Sequence, residues 1–231
     1  MPQTEMTCHS PATEQAPDGA TRIALIGSPN GGKTSIFNQL TGLHAKTGNY
    51  PGVTVSRSEG VARIHDHTFA IEDLPGTYSL SPISPDEQVV VDVLDGRMDQ
   101  VSAPDALVVV ADATALRRSL LLLAEVLPRH LPTAVVVTMT DELRRRQGSL
   151  DVTALSQALG VPMVAVVANR GIGIGELRNL LTTWHDWDRP PLDPPSRSSE
   201  LAGWVDSVLD TAGYEDPDPD SRTCLLYTSD A

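Results

Sequence analysis

Two rhythms of apolar residues alternate along this chain. TRIALIG (21–27), DALVVVAD (105–112), TAVVVTMTD (133–141) and VPMVAVVA (161–168) carry continuous β-branched runs, the pattern of strands buried on both faces. Between them apolar residues recur at helical spacing. SIFNQLTG (35–42) puts Ile36, Phe37 and Leu40 on one face and Gly42 at its end, and LRRSLLLLAEVL (116–127) is closed by Pro128. DVTALSQALG (151–160) and GELRNLLTTW (175–184) repeat the helical pattern. GVARIHDHTFAIED (60–73) reads as a hairpin turning near His65-Asp66-His67, after a loop punctuated by Gly and Pro, KTGNYPGVTVS (46–56). A further helix is predicted from Asp86 to Leu94, after Pro82 and Pro85. Strands alternating with amphipathic helices predict an α/β fold of three layers, a mostly parallel sheet covered on both faces. Such sheets bind ligands at the carboxyl ends of their strands.

The alternating region spans 21–187 and reads as one domain. Residues 1–20 have neither a basic start nor an apolar run and read as a disordered lead, not a signal peptide. RPPLDPPSRSS marks a linker over 188–199, and 200–214 is a short helical segment with Leu201, Trp204, Val205 and Leu209 on its apolar stripe. The tail 215–231 reads as disordered, and its SRTCLLYTSDA resembles translated sequencing-adapter runs and is assigned no function.

Charge removes one class of partner. With 17 basic against 30 acidic residues and a net charge of -13, the chain lacks the clustered Lys and Arg of a nucleic-acid footprint. Cys8 and Cys224 lie in the two tails, so no disulfide framework or thiolate metal site is implied, and a reducing, cytosolic setting fits. No window approaches the roughly 18–20 apolar residues of a membrane helix.

GSPNGGKT (27–34) fits the P-loop pattern between a predicted strand and a predicted helix, the context the pattern requires. Gly27, Gly31 and Gly32 let backbone N–H groups close around phosphates, with Asn30 and Ser35 completing the loop. Lys33 can reach the β- and γ-phosphate oxygens, and Thr34 offers a hydroxyl to Mg²⁺. Asp73 ends its predicted strand, with Gly76 three residues on; the Asp can hold the Mg²⁺ shell and the Gly N–H can sense a γ-phosphate. Thr54, in the loop between these motifs, is expected to complete the Mg²⁺ shell when a γ-phosphate is present. Guanine-selective sites place N-K-x-D after a strand; here the segment is TMTD (138–141). Asp141 can take the guanine N1 and N2 protons, while Thr138 and Met139 replace the usual Asn and Lys. Ala168, at the end of the next predicted strand, places its N–H near the guanine O6.

Together GSPNGGKTSIFNQLTG, GNYPGVTVSRSEG and DLPGTYSLSPISPDEQVV resemble the nucleotide motifs of the cytosolic G domain of bacterial ferrous-iron transport protein B. DALVVVADATALRRSLLLLAEVL and TMTD extend the likeness, which covers roughly residues 20–184. The resemblance implies a P-loop GTPase-type fold, GTP and GDP as substrate and product, and Mg²⁺ held by Thr34, Thr54 and Asp73. It implies K⁺ as an activating ion held by Asn30. It also implies a following membrane domain that carries Fe²⁺, a place on the cytoplasmic face of the membrane within a longer chain, and a partial helical region after the G domain. It leaves self-association open. Ser28 and Gly31 stand where the family usually has Asn and Ser, and Thr138 where it has Asn.

Small GTPases often place a water-orienting Gln directly after the third-motif Gly, where this chain has Thr77. Positioning and charge neutralisation dominate phosphoryl transfer, so a K⁺-assisted hydrolysis using Asn30, Lys33, Thr54 and Gly76 is the expected mechanism. Two other readings stay open on the residues: a nucleotide-binding interaction module with negligible turnover, and a P-loop GTPase of ribosome or RNA maturation. His65 and His67 read as surface residues beside a turn.

Overall fold

The structure, a computed structural model, describes residues 16–17, 19–42, 45–187, 194–195 and 197–216. Most of the expected lead and linker, and the tail beyond residue 216, lie outside the described residues.

Seven strands form one sheet in the order β2-β3-β4-β1-β5-β6-β7. They are β1 (Thr21–Gly27), β2 (Ala45–Asn49), β3 (Ser56–Ile64), β4 (His67–Asp73), β5 (Ala106–Asp112), β6 (Thr133–Thr138) and β7 (Met163–Ala165). β4, β1, β5, β6 and β7 run parallel, and β2 and β3 continue the sheet antiparallel at one edge. The mostly parallel three-layer architecture is therefore the one the sequence predicts.

Strand alternation builds two cores. Ala24 and Ile26 of β1 and Leu107 and Val109 of β5 face a layer that includes α2 (Pro85–Leu94), α3 (Leu116–Val126), α4 (Thr140–Arg145) and α5 (Val152–Leu159). Ile23 and Leu25 of β1, with Val108 of β5, face α1 (Lys33–Thr41) and α6 (Ile174–Thr182). The last helix, α7 (Ser198–Thr211), joins the first core through Val205, Val208 and Leu209. Among the described residues no helix is long and apolar enough to cross a membrane.

Three elements depart from the sequence reading. The segment read as a loop over 46–56 contains strand β2, and β3 starts at Ser56. β2 is an edge strand held by backbone pairing to β3, and its exposed AKTGN has no apolar alternation to announce it. The run 133–141 divides: β6 stops at Thr138, Met139 turns the chain with φ 57, and α4 begins at Thr140. β7 keeps only residues 163–165 of the expected strand, because Val167 folds back to pair with Ile172 across a tight turn. The hairpin forms as expected, with β3 and β4 in register from Ile64 opposite His67. α2 starts with Ser84 as its cap; the hydroxyl accepts from the Glu87 N–H, and Pro85 occupies the first turn.

Candidate functional site

β1 delivers the P-loop to the carboxyl end of the sheet. Gly27 ends the strand opposite Val110, and Gly32 starts α1 in the left-handed region with φ 93, so Lys33 and Thr34 stand in the helix's first turn. β4 is the parallel neighbour of β1 and brings Asp73 level with Leu25. The Thr34 hydroxyl donates to Asp73 Oδ2 at 2.8 Å. Lys33 is buried, and burial lowers its ammonium pKa against the opposing pull of the Asp73 charge. Burial likewise pushes the Asp73 carboxyl up, against the Thr34 hydrogen bond and the Lys33 charge. Asp73 Oδ1 is buried and takes no hydrogen bond among the described residues. An orphaned carboxylate oxygen beside a hydroxyl is a donor set that fits a hard divalent cation.

Lys33, Thr34, Thr54, Asp73 and Gly76 line one cavity of about 440 Å³, together with Ser56, Ser58 and Asp86, which the sequence reading did not single out. Asn30 is not among its lining residues. It stands on the P-loop with φ 62 and an exposed side chain that makes no hydrogen bond among the described residues.

The third-motif loop rests on the P-loop. A Cβ at Gly76 would lie 2.9 Å from three atoms of Pro29, so only glycine fits there. The Thr77 N–H donates to the Gly27 carbonyl at 3.1 Å. Thr77 itself is 1% exposed, and its hydroxyl donates to the Ser79 carbonyl at 2.5 Å. That side chain is folded into its own loop and is absent from the cavity lining. Glu125 of α3 then fixes the loop: its carboxylate accepts from the Ser79 hydroxyl at 3.0 Å and from the Leu80 N–H.

The loop bearing Thr54 is anchored at its base. The Tyr50 N–H donates to the Val55 carbonyl at 2.9 Å, and Tyr50, 1% exposed, donates its hydroxyl to Glu72 Oε1 at 3.0 Å. Arg57 Nε donates to the same oxygen at 2.8 Å, and Arg57 also pairs with Glu59 at 2.7 Å. Burial, reinforced by the Glu72 charge, pushes the Tyr50 phenol up and keeps it protonated. The one sequence signal for this network is Glu72 itself, a charged residue inside the apolar AIED run.

A second cavity, of about 400 Å³, is lined by the chain neighbours of Lys33 and Thr34 and by the loops that follow β6 and β7. Gly32, Ser35, Thr138, Met139, Asp141, Glu142, Val166, Val167, Ala168 and Asn169 line it. All the residues expected around the base are thus together. The left-handed turn at Met139 sets Asp141 in the first turn of α4, where its carboxylate takes no hydrogen bond among the described residues. Gln39 of α1 donates to the Ala168 carbonyl at 2.9 Å and steadies that loop, a role no sequence pattern announced. The Thr138 hydroxyl donates to the Gly31 carbonyl at 2.7 Å, so it braces the P-loop from beneath. His65 lies within 3.2 Å of Asn179 and lines neither cavity, and the described residues hold no group of three His, Cys, Asp or Glu side chains placed to hold a metal ion.

Residues 21–181 match the family described as ferrous iron transport protein B. The chain is 42% identical over 174 residues to the Fe(2+) transport protein A/Fe(2+) transporter FeoB fusion protein of Porphyromonas gingivalis, covering 75% of this chain and 20% of that protein. Its fold is similar to the cytosolic domain of the T. maritima FeoB iron transporter in GMPPNP form, with TM-score 0.74 and 27% identity over 85% of this chain and 100% of that one. The G domain of the same transporter gives TM-score 0.65 and 36% identity over 72% of this chain and 99% of that one. The chain spans between 20% and 23% of the length of the first curated relatives it matches. The matched residues run from the first residue of β1 into α6 and so include every lining residue of both cavities. By that match, the chain belongs to the ferrous iron transport protein B family.

Proposed function

We propose that this chain is the GTP-binding and GTP-hydrolysing regulatory domain of a ferrous-iron transporter. The observation that carries the reading is the pair of adjoining cavities, one lined by Lys33, Thr34, Thr54, Asp73 and Gly76, the other by Thr138, Asp141 and Ala168. A nucleoside triphosphate spans such a pair, phosphates on the P-loop and base against Asp141. Solved FeoB relatives of the same fold are in GMPPNP form or bound to mGDP, which supports guanine nucleotide as the ligand.

Thr34, Thr54 and the free Oδ1 of Asp73 are the residues that would hold Mg²⁺, which when bound offsets charge on the β- and γ-phosphates. Lys33 holds phosphate oxygens, and the Gly76 N–H meets the γ-phosphate. Thr77 is turned away, so no side chain directly after Gly76 orients the water. Asn30, with its uncommitted amide, is the residue that would hold K⁺, and that ion supplies positive charge beside the phosphates. In the longer protein, the domain works at the cytoplasmic face, linked to the membrane portion that carries Fe²⁺.

Single-turnover hydrolysis of GTP by this chain in Mg²⁺ buffer, in KCl and in NaCl, tests the reading. Turnover in KCl is expected to exceed that in NaCl by on the order of tenfold or more, the scale of one electrostatic group at a reacting phosphate. Asn30→Ala removes the difference. Equal rates in the two salts end the K⁺ assignment. GTP binding without turnover favours a nucleotide-binding interaction module, and no GTP binding by folded protein ends the whole reading.

A further inference from the structure

Thr138 stands where the base-side cavity meets the P-loop. It is 3% exposed, and its hydroxyl donates to the Gly31 carbonyl at 2.7 Å with the Ala111 carbonyl at 3.3 Å. A threonine hydroxyl has one hydrogen, and both neighbours are acceptors, so that hydrogen is directed into the protein. The methyl group faces the P-loop as well: a Cβ built on Gly32 would lie 3.4 Å from Thr138 Cγ2.

This geometry constrains how a purine is read. The inference rests on the guanine-nucleotide reading above. The sugar and phosphates leave a purine from its five-membered ring, so that ring lies at the P-loop end of the cavity, over Thr138. The six-membered ring, with N1, the 2-amino group and O6, reaches Asp141 and the Ala168 N–H. N7 is an acceptor on the five-membered ring and needs a donor. The other lining side chains with donors, Ser35 and Asn169, are both exposed, so a bond from either to N7 only replaces one to water and adds little.

We propose that Thr138 braces the P-loop without reading the base, so that this chain recognises guanine by the edge of its six-membered ring alone and leaves N7 without a partner. Its ligand class is then any purine nucleotide with a guanine-like N1, 2-amino and O6 edge, whatever stands at position 7. An asparagine amide in place of Thr138 has two hydrogens and can donate to Gly31 and to N7 together.

Calorimetric titration of the full chain with GDP, 7-deaza-GDP and ADP in Mg²⁺ buffer tests this. GDP and 7-deaza-GDP are expected to bind within about twofold of each other, because no hydrogen bond is lost, and both far more tightly than ADP. Thr138→Asn is expected to tighten GDP by about 3–10-fold, the scale of one neutral hydrogen bond, and to leave 7-deaza-GDP unchanged. Thr138→Val keeps the shape, removes the brace and weakens both guanine ligands equally. A parent chain that loses tenfold on 7-deaza-GDP while still rejecting ADP overturns the inference and leaves the guanine reading standing. Equal binding of GDP and ADP, or none of either, overturns both. The parent comparison decides the matter even where a variant folds poorly.

Discussion

The site's chemistry depends on single atoms whose surroundings differ from those of ordinary surface groups. Gly76 lies against Pro29 with no room for a Cβ, so Gly76→Ala must push the third-motif loop off the P-loop. Overpacking of this kind costs about 1–3 kcal/mol. We expect GTP affinity and hydrolysis to fall about tenfold or more, while GDP, with no γ-phosphate to meet that loop, is held nearly as before; filter binding with both nucleotides checks the split. Asp73 gives a pH signature. Its folded pKa is raised by burial, so the folded nucleotide-free protein binds a proton there before the unfolded chain does. Stability linked to Asp73 is therefore complete below the ordinary carboxylate value and lost as pH rises through the raised folded value. Relative to Asp73→Asn, the parent should gain stability as pH falls through that window, the reverse of a carboxylate held by a salt bridge. Urea unfolding of both proteins across the acid range reads the difference. The placement of Lys33, Thr34, Asp73 and Asp141 in the two cavities was legible in the sequence because their spacing is tied to a strand end and a helix start. The inward fold of Thr77 and the Thr138 brace were not, since each depends on carbonyls distant in sequence or on a turn no pattern specifies.

At the scale of elements, what was legible follows burial. β1, β5 and β6 bury both faces, so their composition alone marks them, and α3 carries its apolar face at helical spacing. β2 escaped because an edge strand with exposed side chains is defined by its backbone partner, and β7 was overread because Val166 and Val167 continue its apolar run after the chain has turned. α4 was hidden by its shortness, residues 140–145, and by the left-handed Met139 that starts it. Glu125 links an element to the site: through it, α3 holds the loop after Gly76. Glu125→Ala leaves the Leu80 N–H and the Ser79 hydroxyl without their acceptor, at a cost of about 1–3 kcal/mol. Amide hydrogen exchange should quicken across residues 77–81 and remain unchanged in β5 and β6. Uniform quickening would mean that Glu125 supports the whole fold and not this loop.

Across the whole molecule, the first core runs unbroken from β1 to α7. Arg117 of α3 pairs with Asp206 of α7, and the Tyr214 hydroxyl donates to the Ala113 carbonyl at 3.1 Å. Glu215 pairs with Ser149, so the segment after α7 returns to the loop that follows α4. Leu209→Ala should therefore lower the stability of the chain by about 2–5 kcal/mol in a single unfolding transition. Two transitions by circular dichroism would instead make α7 a separately folding appendage. The sequence supplied α7's apolar stripe, but nothing in it named α3 and α5 as the surface the stripe covers. The closed base of the Thr54 loop has a consequence of its own. With the Tyr50 N–H bonded to the Val55 carbonyl and the Tyr50 ring buried, the hydroxyl of Thr54 is carried on a noose of residues 51–54. Any longer excursion must unzip β2 from β3 rung by rung and leave β3 as a bare sheet margin. Whatever meets that margin then competes with β2 for the same backbone groups, so the reach of one hydroxyl into the cavity beside Lys33 is tied to whether the sheet ends in six strands or seven.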